Sequence, residues 1–333
     1  MHDFHQLRSF QKHEDVFPKL VCPDDSTMVH FVSHEWLSFS HPDPAAAQLT
    51  LMQQTFKAFA LGKAKALFAA ADWQAFLEGF SAGMAEVMRW YETQLVQREV
   101  FEDSDIPPHF HYGCVWLDYH SIPQKFDKDD FLAAVNSIPH YVERCDYFWI
   151  CAPSAMHHDR NVRRDFTTWR NRGWCRLEET TNLMSKRLKM PLVVTCSTEI
   201  QTYGFMEWML MLCRRPDRSI ANGEFTCCRL NHKIVEPDGS ERTIDCDKKA
   251  IAPVLTKVFT GFYDHIQGDA EALKRNLLRT AAPSILGGLE AFAPEAVMAW
   301  AIPQSDTVEG FLSRAGYKTL DELDCIGWPC LTW

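Results

Sequence analysis

Four short apolar segments constrain the fold of this 333-residue chain more than any other feature. They occupy residues 28–34, 114–119, 147–152 and 191–196, and longer stretches with helix-like composition separate them. Strands that are apolar throughout and alternate with helices form parallel sheets that are covered on both faces. We therefore predict an α/β domain with an open, mostly parallel sheet over residues 27–200.

The stretches around these segments predict the domain organisation. Residues 1–26 are polar and weakly periodic, which is typical of an extended N-terminal arm. A helical insertion over about 60–110 separates the first two strands, and Gly62, Gly79 and Gly83 divide the helical sequence around it. The later strands are separated by predicted helices at 127–144 and 174–189. Beyond residue 200 the pattern predicts an α-rich appendage with a β-hairpin formed by 225–230 and 233–246, followed by helices at 249–267, 269–289 and 307–315.

Composition and charge exclude several classes of function. Apolar residues make up 46% of the chain and charged residues 23%, which is ordinary for a globular protein and too apolar for a disordered one. The formal net charge of −10 provides no general attraction for nucleic acid or for an anionic membrane surface. Because the first residues are polar and no apolar run is long enough to span a bilayer, we expect a soluble, cytoplasmic protein.

The twelve cysteines predict neither disulfides nor a metal site. No C-x-x-C pair is present, and without a secretory signal the thiols are expected to be reduced and mostly structural. None of the close histidine pairs combines with a cysteine or an acid at a recognised ligand spacing, so no metal is predicted at 34/41, 109/111 or 157/158. Cys175 would act as a nucleophile only with a nearby base, and the sequence identifies none uniquely.

Polar residues follow the predicted strands at the ends where open α/β sheets bind ligands. A further group of candidate residues lies at the start of the helix predicted after the third strand. In this helix Trp174 and Glu178 are four residues apart and share one face. An aromatic plane beside a carboxylate suits a flat cationic heterocycle attached to a sugar. The candidate binding residues are Ser33, His34 and Trp36 after the first strand, Asp118 and Tyr119 after the second, Ser154 after the third, and Arg172, Trp174 and Cys175 at the helix start.

Each candidate also has an ordinary structural interpretation. Glu178 lies in a helical first turn, where acids are favoured in any case. Trp174 and Trp116 fit core positions, and Asp118 fits a loop cap. The arginines are expected either to hold a pyrophosphate or to form a solvated loop balanced by Asp159 and Asp165; they stand at 160, 163, 164, 170, 172 and 176.

The order of these motifs resembles that of TIR and TIR-like domains over about residues 27–200. The motifs are Phe31-Val32-Ser33-His34, Val115-Trp116-Leu117-Asp118-Tyr119, the apolar strand that leads to Ser154, and Trp174-Cys175-x-x-Glu178. The last motif is similar to the Trp-Cys-Leu-x-Glu helix start of plant TIR domains, with Arg176 in place of the leucine. Fungal heterokaryon-incompatibility domains, which have a Trp-Ile-Asp strand and an Arg-Gly-Trp element, are a second similar group.

The resemblance implies a flavodoxin-like sheet and a signalling domain that binds an adenine dinucleotide and hydrolyses the nicotinamide–ribose bond of NAD. It places Glu178 on the family's catalytic glutamate and Trp174 beside the nicotinamide. NAD or a related nucleotide would be the substrate, no separate cofactor is expected, and the domain would associate with copies of itself. The long insertion before the second strand and Pro123 after Asp118 depart from the family pattern.

Two alternatives to NAD hydrolysis remain open at this point. The same fold could serve as a non-catalytic module for assembly or interaction. The same site could also belong to a nucleoside or nucleotide N-glycosidase with another substrate. In each case the C-terminal region is a candidate surface for a protein partner.

Overall fold

The computed structural model describes residues 2–78, 102–106, 110, 112–124, 128–187, 189–214, 216–235, 238–266, 272–295, 297, 307–309, 312 and 319–321. They divide into two compact units, the first from residues 1–80 and 97–203 and the second from residue 204 onward. Most of the predicted insertion at 60–110, including Gly79 and Gly83, lies outside the described residues, as does most of the helix predicted at 307–315.

The first unit is built around a mostly parallel sheet, as predicted, and this sheet has five strands. Its strands are β1 (Val29–His34), β2 (Cys114–Trp116), β3 (Tyr147–Cys151), β6 (Pro191–Cys196) and β7 (Glu199–Thr202), in the order β2-β1-β3-β6-β7. The first four of these are parallel, and their arrangement is flavodoxin-like. A separate antiparallel pair, β4 (Ala155–His157) with β5 (Val162–Arg164), lies where the sequence predicted a charged loop.

Two helices of the first unit were predicted with bounds. The one predicted at 127–144 lies close to its predicted position, whereas the one predicted at 174–189 begins at Gly173 and ends early, at Leu183. The helix Lys128–Arg144 continues through Pro139. The remaining helices are His2–Gln6, His13–Val16, Ala47–Ala60, Ala70–Glu78, Asp118–Ser121 and Phe166–Trp169, with single 3-10 turns at Phe17–Lys19, Lys65–Leu67 and Asp103–Asp105.

Strand β1 lies between β2 and β3, and every one of its residues is buried. Because successive side chains of a strand point to opposite faces, both faces of the sheet must be covered here. On one face Val32 packs in a core with Met52 and Phe56 of the helix Ala47–Ala60. On the other face the Phe31 ring stacks on Trp116 at 4.3 Å and on Phe148 at 5.2 Å between ring centroids.

The N-terminal residues do not form an extended arm, contrary to the prediction. They fold into two short helices, and Phe4, Phe10 and Val16 are buried. Backbone carbonyls of this segment accept hydrogen bonds from the α/β domain: the carbonyl of Phe4 from Gln53 Nε2 at 2.9 Å and that of Phe10 from His41 Nε2 at 2.9 Å. The apolar residues are spaced too irregularly to reveal this packing from the sequence.

Strand β7 closes one side of the sheet and was not predicted. It pairs antiparallel with β6, and the register shifts between Val194 and Cys196, which marks a bulge. Ile200 is buried in the core, whereas Glu199 and Gln201 are exposed. Ile200 also forms an isolated bridge with Phe68, outside the five-stranded ladder.

The second unit is rich in helices and contains one hairpin. Its strands, β8 (Lys233–Val235) and β9 (Glu241–Thr243), pair antiparallel, so the hairpin lies within the second half of the predicted one. The predicted strand at 225–230 is wrong, because Thr226–Arg229 forms a helical turn. The longer helices are Phe205–Arg214, Asp247–His265 and Ala272–Leu286, and single 3-10 turns occur at Pro216–Arg218 and Ile220–Asn222. Over the described part of the chain, no helix combines the length and the apolarity needed to cross a bilayer.

Candidate functional site

The candidate site begins at the carboxyl end of β1. This strand lies between β2 and β3, the position at which the strand order of a flavodoxin-like sheet reverses and at which such sheets bind ligands. Its last residues, Ser33 and His34, are paired in register with Ile150 and Cys151 of β3. Because they are consecutive on a strand, their side chains project to opposite faces of the sheet.

The side chain of Ser33, near the end of β1, is hydrogen-bonded to Glu178, the acid predicted to be catalytic. Its hydroxyl donates to Glu178 Oε2 at 2.5 Å and accepts from the indole nitrogen of Trp169 at 3.1 Å. Glu178 lies in the helix Gly173–Leu183 and is only partly exposed, so its carboxyl group points to the strand end and not into bulk solvent. The Asp165 side chain starts the short helix that carries Trp169, through a capping box with Thr168.

His34 lies on the opposite face, in a network of buried polar groups. Its Nδ1 is 2.9 Å from Gln48 Oε1 and its Nε2 is 2.8 Å from Asp118 Oδ1. The amide nitrogen of Gln48 donates to the carbonyl of Glu35 at 2.7 Å, which orients the amide oxygen toward the histidine. Since both partners of the ring are then acceptors, both ring nitrogens must donate, and His34 is an imidazolium cation.

The charges of His34 and Asp118 stabilise each other. Burial alone would lower the pKa of His34, but the Asp118 carboxylate raises it to about 9. Burial would raise the pKa of Asp118, but His34 holds it below its ordinary value. Asp118 also accepts from Trp36 Nε1 at 3.0 Å and from the backbone nitrogen of Tyr119 at 2.6 Å. A histidine that is charged at neutral pH and bonded on both sides cannot serve as a general base there.

Glu178 is the group of this site that can change its charge near neutral pH. Burial raises the pKa of Glu178 to about 8, with a contribution from the nearby Asp118 charge and with opposition from the Ser33 hydrogen bond and His34. At pH 7 the carboxyl group is therefore mostly protonated. A cation placed beside it would favour the carboxylate and lower this pKa, which is the behaviour needed to bind and stabilise a positively charged group.

Glu35 is a buried acid that the sequence did not single out, although it stands between two candidate residues. Its carboxylate is 3.1 Å from Arg164 Nη1 and accepts from the hydroxyl of Thr168 at 2.7 Å. Arg172 Nε lies 4.0 Å from the same carboxylate. The arginine run was expected to hold a pyrophosphate or to form a solvated loop. Arg164 and Arg176 fit neither prediction, because both side chains are buried within the protein.

The structure brings most of the predicted residues together. Their hydrogen bonds form two groups: Ser33 with Glu178, and His34, Trp36 and Tyr119 with Asp118. The thiol of Cys175 donates to the carbonyl of His34 at 3.6 Å, and burial raises its pKa well above the ordinary value, so it remains an unreactive thiol. Trp174 is partly buried in the first turn of the Glu178 helix, and Ser154 is exposed between β3 and β4.

Three partners in this cluster escaped sequence reasoning: Glu35, Gln48 and Trp169. Trp169 is distant in sequence from β1, and Gln48 lies in the helix that follows β1, 14 residues after His34, so only the folded chain shows these hydrogen bonds. Glu35 offered one signal, its position between His34 and Trp36 at the end of an apolar strand.

Comparisons of this chain with protein-family models, with curated proteins and with solved structures found no match. What the site does must therefore be inferred from its geometry and chemistry.

Proposed function

We propose that the first unit is a TIR-like signalling domain that binds an adenine dinucleotide and hydrolyses the nicotinamide–ribose bond of NAD, with Glu178 as the catalytic carboxylate. The observation that carries the proposal is the hydrogen bond of 2.5 Å from Ser33 to Glu178 at the switch point of the sheet. A carboxyl group held by a strand-end hydroxyl, at the position where such sheets bind ligands, would meet the reacting part of a nucleotide bound there.

The chemistry requires one acid and no proton donor for the leaving group. The nicotinamide nitrogen of NAD already carries a positive charge, so it leaves with the electron pair of its bond to ribose and becomes neutral. This differs from ordinary glycosides, whose leaving oxygen must be protonated by a second carboxylic acid. Water then attacks the cationic ribosyl carbon, loses a proton to Glu178 or solvent, and gives ADP-ribose.

The electrostatics of Glu178 suit this sequence of events. A protonated side chain avoids the cost of a partly buried, unpaired negative charge before substrate arrives. The pyridinium ring would shift Glu178 to its carboxylate form, and that charge would stabilise the oxocarbenium-like ribosyl centre as the bond breaks. His34 and Asp118 are already paired with each other, so they would hold the residues of the site in position and would not transfer protons.

A non-catalytic assembly module is the second candidate, and one observation favours it. The polar groups of His34, Asp118 and Gln48 are satisfied inside the protein, as expected for a network whose role is to fix the loops at the strand ends. Loops fixed in this way could present a constant surface to a second copy of the domain.

Nicotinamide release from NAD separates these functions. We expect wild-type protein to release nicotinamide, in the presence of a crowding agent if assembly is required. Glu178→Gln should lower the rate at least about 100-fold, because the amide cannot supply the negative charge. Glu199→Gln is the matched control, since Glu199 is an exposed acid of the same unit.

The other outcomes decide between the alternatives. Equal rates for wild type and Glu178→Gln would contradict the catalytic assignment. An absence of release in every condition, together with self-association in analytical ultracentrifugation, would favour the assembly module. Release of a base from nicotinamide riboside or adenosine, but not from NAD, would indicate an N-glycosidase with another substrate.

A further inference from the structure

Three cysteines and one histidine of the second unit lie together in a way that the sequence analysis did not anticipate. The ligand atoms of Cys227, Cys228, His232 and Cys246 all lie within 4.8 Å of one another. Cys227 and Cys228 belong to the helical turn Thr226–Arg229, His232 precedes β8, and Cys246 follows β9. The group therefore lies at the two ends of the hairpin. It could not be recognised from the sequence because a strand was predicted at 225–230 in place of the helical turn.

The spacing of the sulfur atoms matches a tetrahedral zinc centre. Zinc–sulfur bonds of about 2.3 Å at tetrahedral angles place two sulfur atoms about 3.8 Å apart. Cys228 Sγ lies 3.9 Å from Cys227 Sγ and 3.6 Å from Cys246 Sγ. A disulfide would require about 2.05 Å, and these cysteines are free thiols.

His232 supplies an independent observation that points to a ligand. Its Nε2 atom is buried and has no hydrogen-bond partner, although it belongs to the four-residue group. A buried ring nitrogen without a partner costs free energy unless something binds it, and neutral imidazole nitrogen is a preferred ligand of zinc.

The backbone holds His232 in this position at some conformational cost. Asn231 and His232 have φ angles of 51° and 57°, in the left-handed region that residues other than glycine rarely adopt. The backbone nitrogen of His232 donates to the carbonyl of Cys227 at 2.7 Å, and its carbonyl accepts from Ile244 at 2.9 Å. These bonds connect the helical turn, the histidine and the end of β9.

The surroundings of the cysteines favour bound thiolates. The backbone nitrogen of Asp247 donates to Cys227 Sγ at 3.4 Å, and such bonds to sulfur stabilise its negative charge. Cys246 is the residue immediately before the helix Asp247–His265, where the helix dipole is positive. The helix N-terminus supports the site but does not define it, because the four side chains already converge.

We propose that Cys227, Cys228, His232 and Cys246 bind one zinc ion in a structural site. The three thiols would release their protons to solvent and coordinate as thiolates, with the imidazole as the fourth ligand. Four protein ligands complete a tetrahedral shell, which is typical of structural zinc and differs from catalytic sites that keep one position open for water. The ion would fix the β8–β9 hairpin to the helix Asp247–His265, and its role is independent of NAD hydrolysis.

Metal analysis of the purified full chain tests the proposal. After exposure to zinc and removal of loosely bound metal, we expect about one zinc per chain by elemental analysis. Cobalt in place of zinc should give the intense visible bands of a tetrahedral, thiolate-bound ion. His232→Ala should weaken zinc binding at least about 100-fold, since even loss of an outer partner of a ligand costs up to that factor.

Two further variants keep the result interpretable if His232→Ala folds poorly. His232→Cys provides a fourth sulfur ligand and should restore zinc binding. Cys196→Ser changes an exposed cysteine of the other unit and should leave the zinc content unchanged. Wild-type protein that binds neither zinc nor cobalt would overturn the proposal, as would a Cys228–Cys246 disulfide found by mass spectrometry in protein prepared without oxidant.

Discussion

The raised pKa of Glu178 predicts a specific pH dependence of stability. The pKa rises from its ordinary value of 4.5 to about 8 in the folded chain, mainly through burial. Between these values the unfolded chain has lost the proton while the folded chain retains it. The stabilisation is therefore complete below about pH 4.5, declines as pH rises, and is fully lost above about pH 8.

The size of this change follows from the pKa difference. About 3.5 pH units at about 1.36 kcal/mol each give an upper limit of about 5 kcal/mol. Glu178 is partly exposed, so water reduces the cost of its charge, and we expect about 2 to 3 kcal/mol. In Glu178→Gln this dependence should be absent, because the amide does not titrate.

Denaturant unfolding followed by tryptophan fluorescence measures the effect. The free energy of unfolding of wild type minus that of Glu178→Gln should fall by about 2 to 3 kcal/mol between about pH 4.5 and pH 8.5. The same difference for the exposed control Glu199→Gln should stay within about 0.5 kcal/mol. A wild-type minus Glu178→Gln difference that is constant over this range, or that rises with pH, would refute the reasoning, since it would show an ordinary carboxylate.

Two further predictions concern His34 and the N-terminal residue Phe10, which packs against it. His34→Gln removes a cation whose pKa is raised to about 9 from 6.5. The free energy of unfolding of wild type should therefore exceed that of the variant most below about pH 6.5, and the difference should decline by up to about 3 kcal/mol as pH rises through about 9. Urea unfolding at both ends of this range measures the difference, and a difference that grew with pH would contradict the ion pair. Phe10→Ala removes a buried ring that lies edge-on to His34, at 5.7 Å between ring centroids. The substitution should lower the free energy of unfolding by about 3 kcal/mol, measured by thermal unfolding. A loss below about 1 kcal/mol would mean that the N-terminal residues do not stabilise this core.

The sequence was sufficient for the four parallel strands because each lies in a short, mainly apolar segment. Strand β7 escaped because the stretch Glu199–Thr202 is short and only Ile200 is buried. The pair β4 and β5 escaped because arginines dominate the second of these strands, although Arg164 is buried beside Glu35. In both cases tertiary contacts, not local apolarity, stabilise the strand.

The same distinction holds for the site: some of its residues could be predicted from the sequence around them, and others could not. Ser33 and Asp118 could be selected because they stand at or just beyond the ends of recognisable strands. Glu178 could be selected because it shares a helix face with Trp174. Gln48 and Trp169 could not, because a hydrogen bond between side chains of two different elements, here 14 and 136 residues apart, leaves no local pattern. The zinc ligands were missed for a different reason: the spacing of Cys227, Cys228, His232 and Cys246 follows no familiar motif, and only the turn at Asn231 brings them together.

Strand β7 has a consequence for how copies of this domain can associate. Sheets often grow by adding a strand from another molecule to an open, flat border with unused backbone groups. Here the border strand β7 runs antiparallel to its neighbour β6, which is bulged before Cys196. Strand β7 also exposes the charged Glu199 and already contacts Phe68 through a bridge. Each of these features discourages docking by another chain, so polymerisation by sheet extension is disfavoured on this side of the sheet.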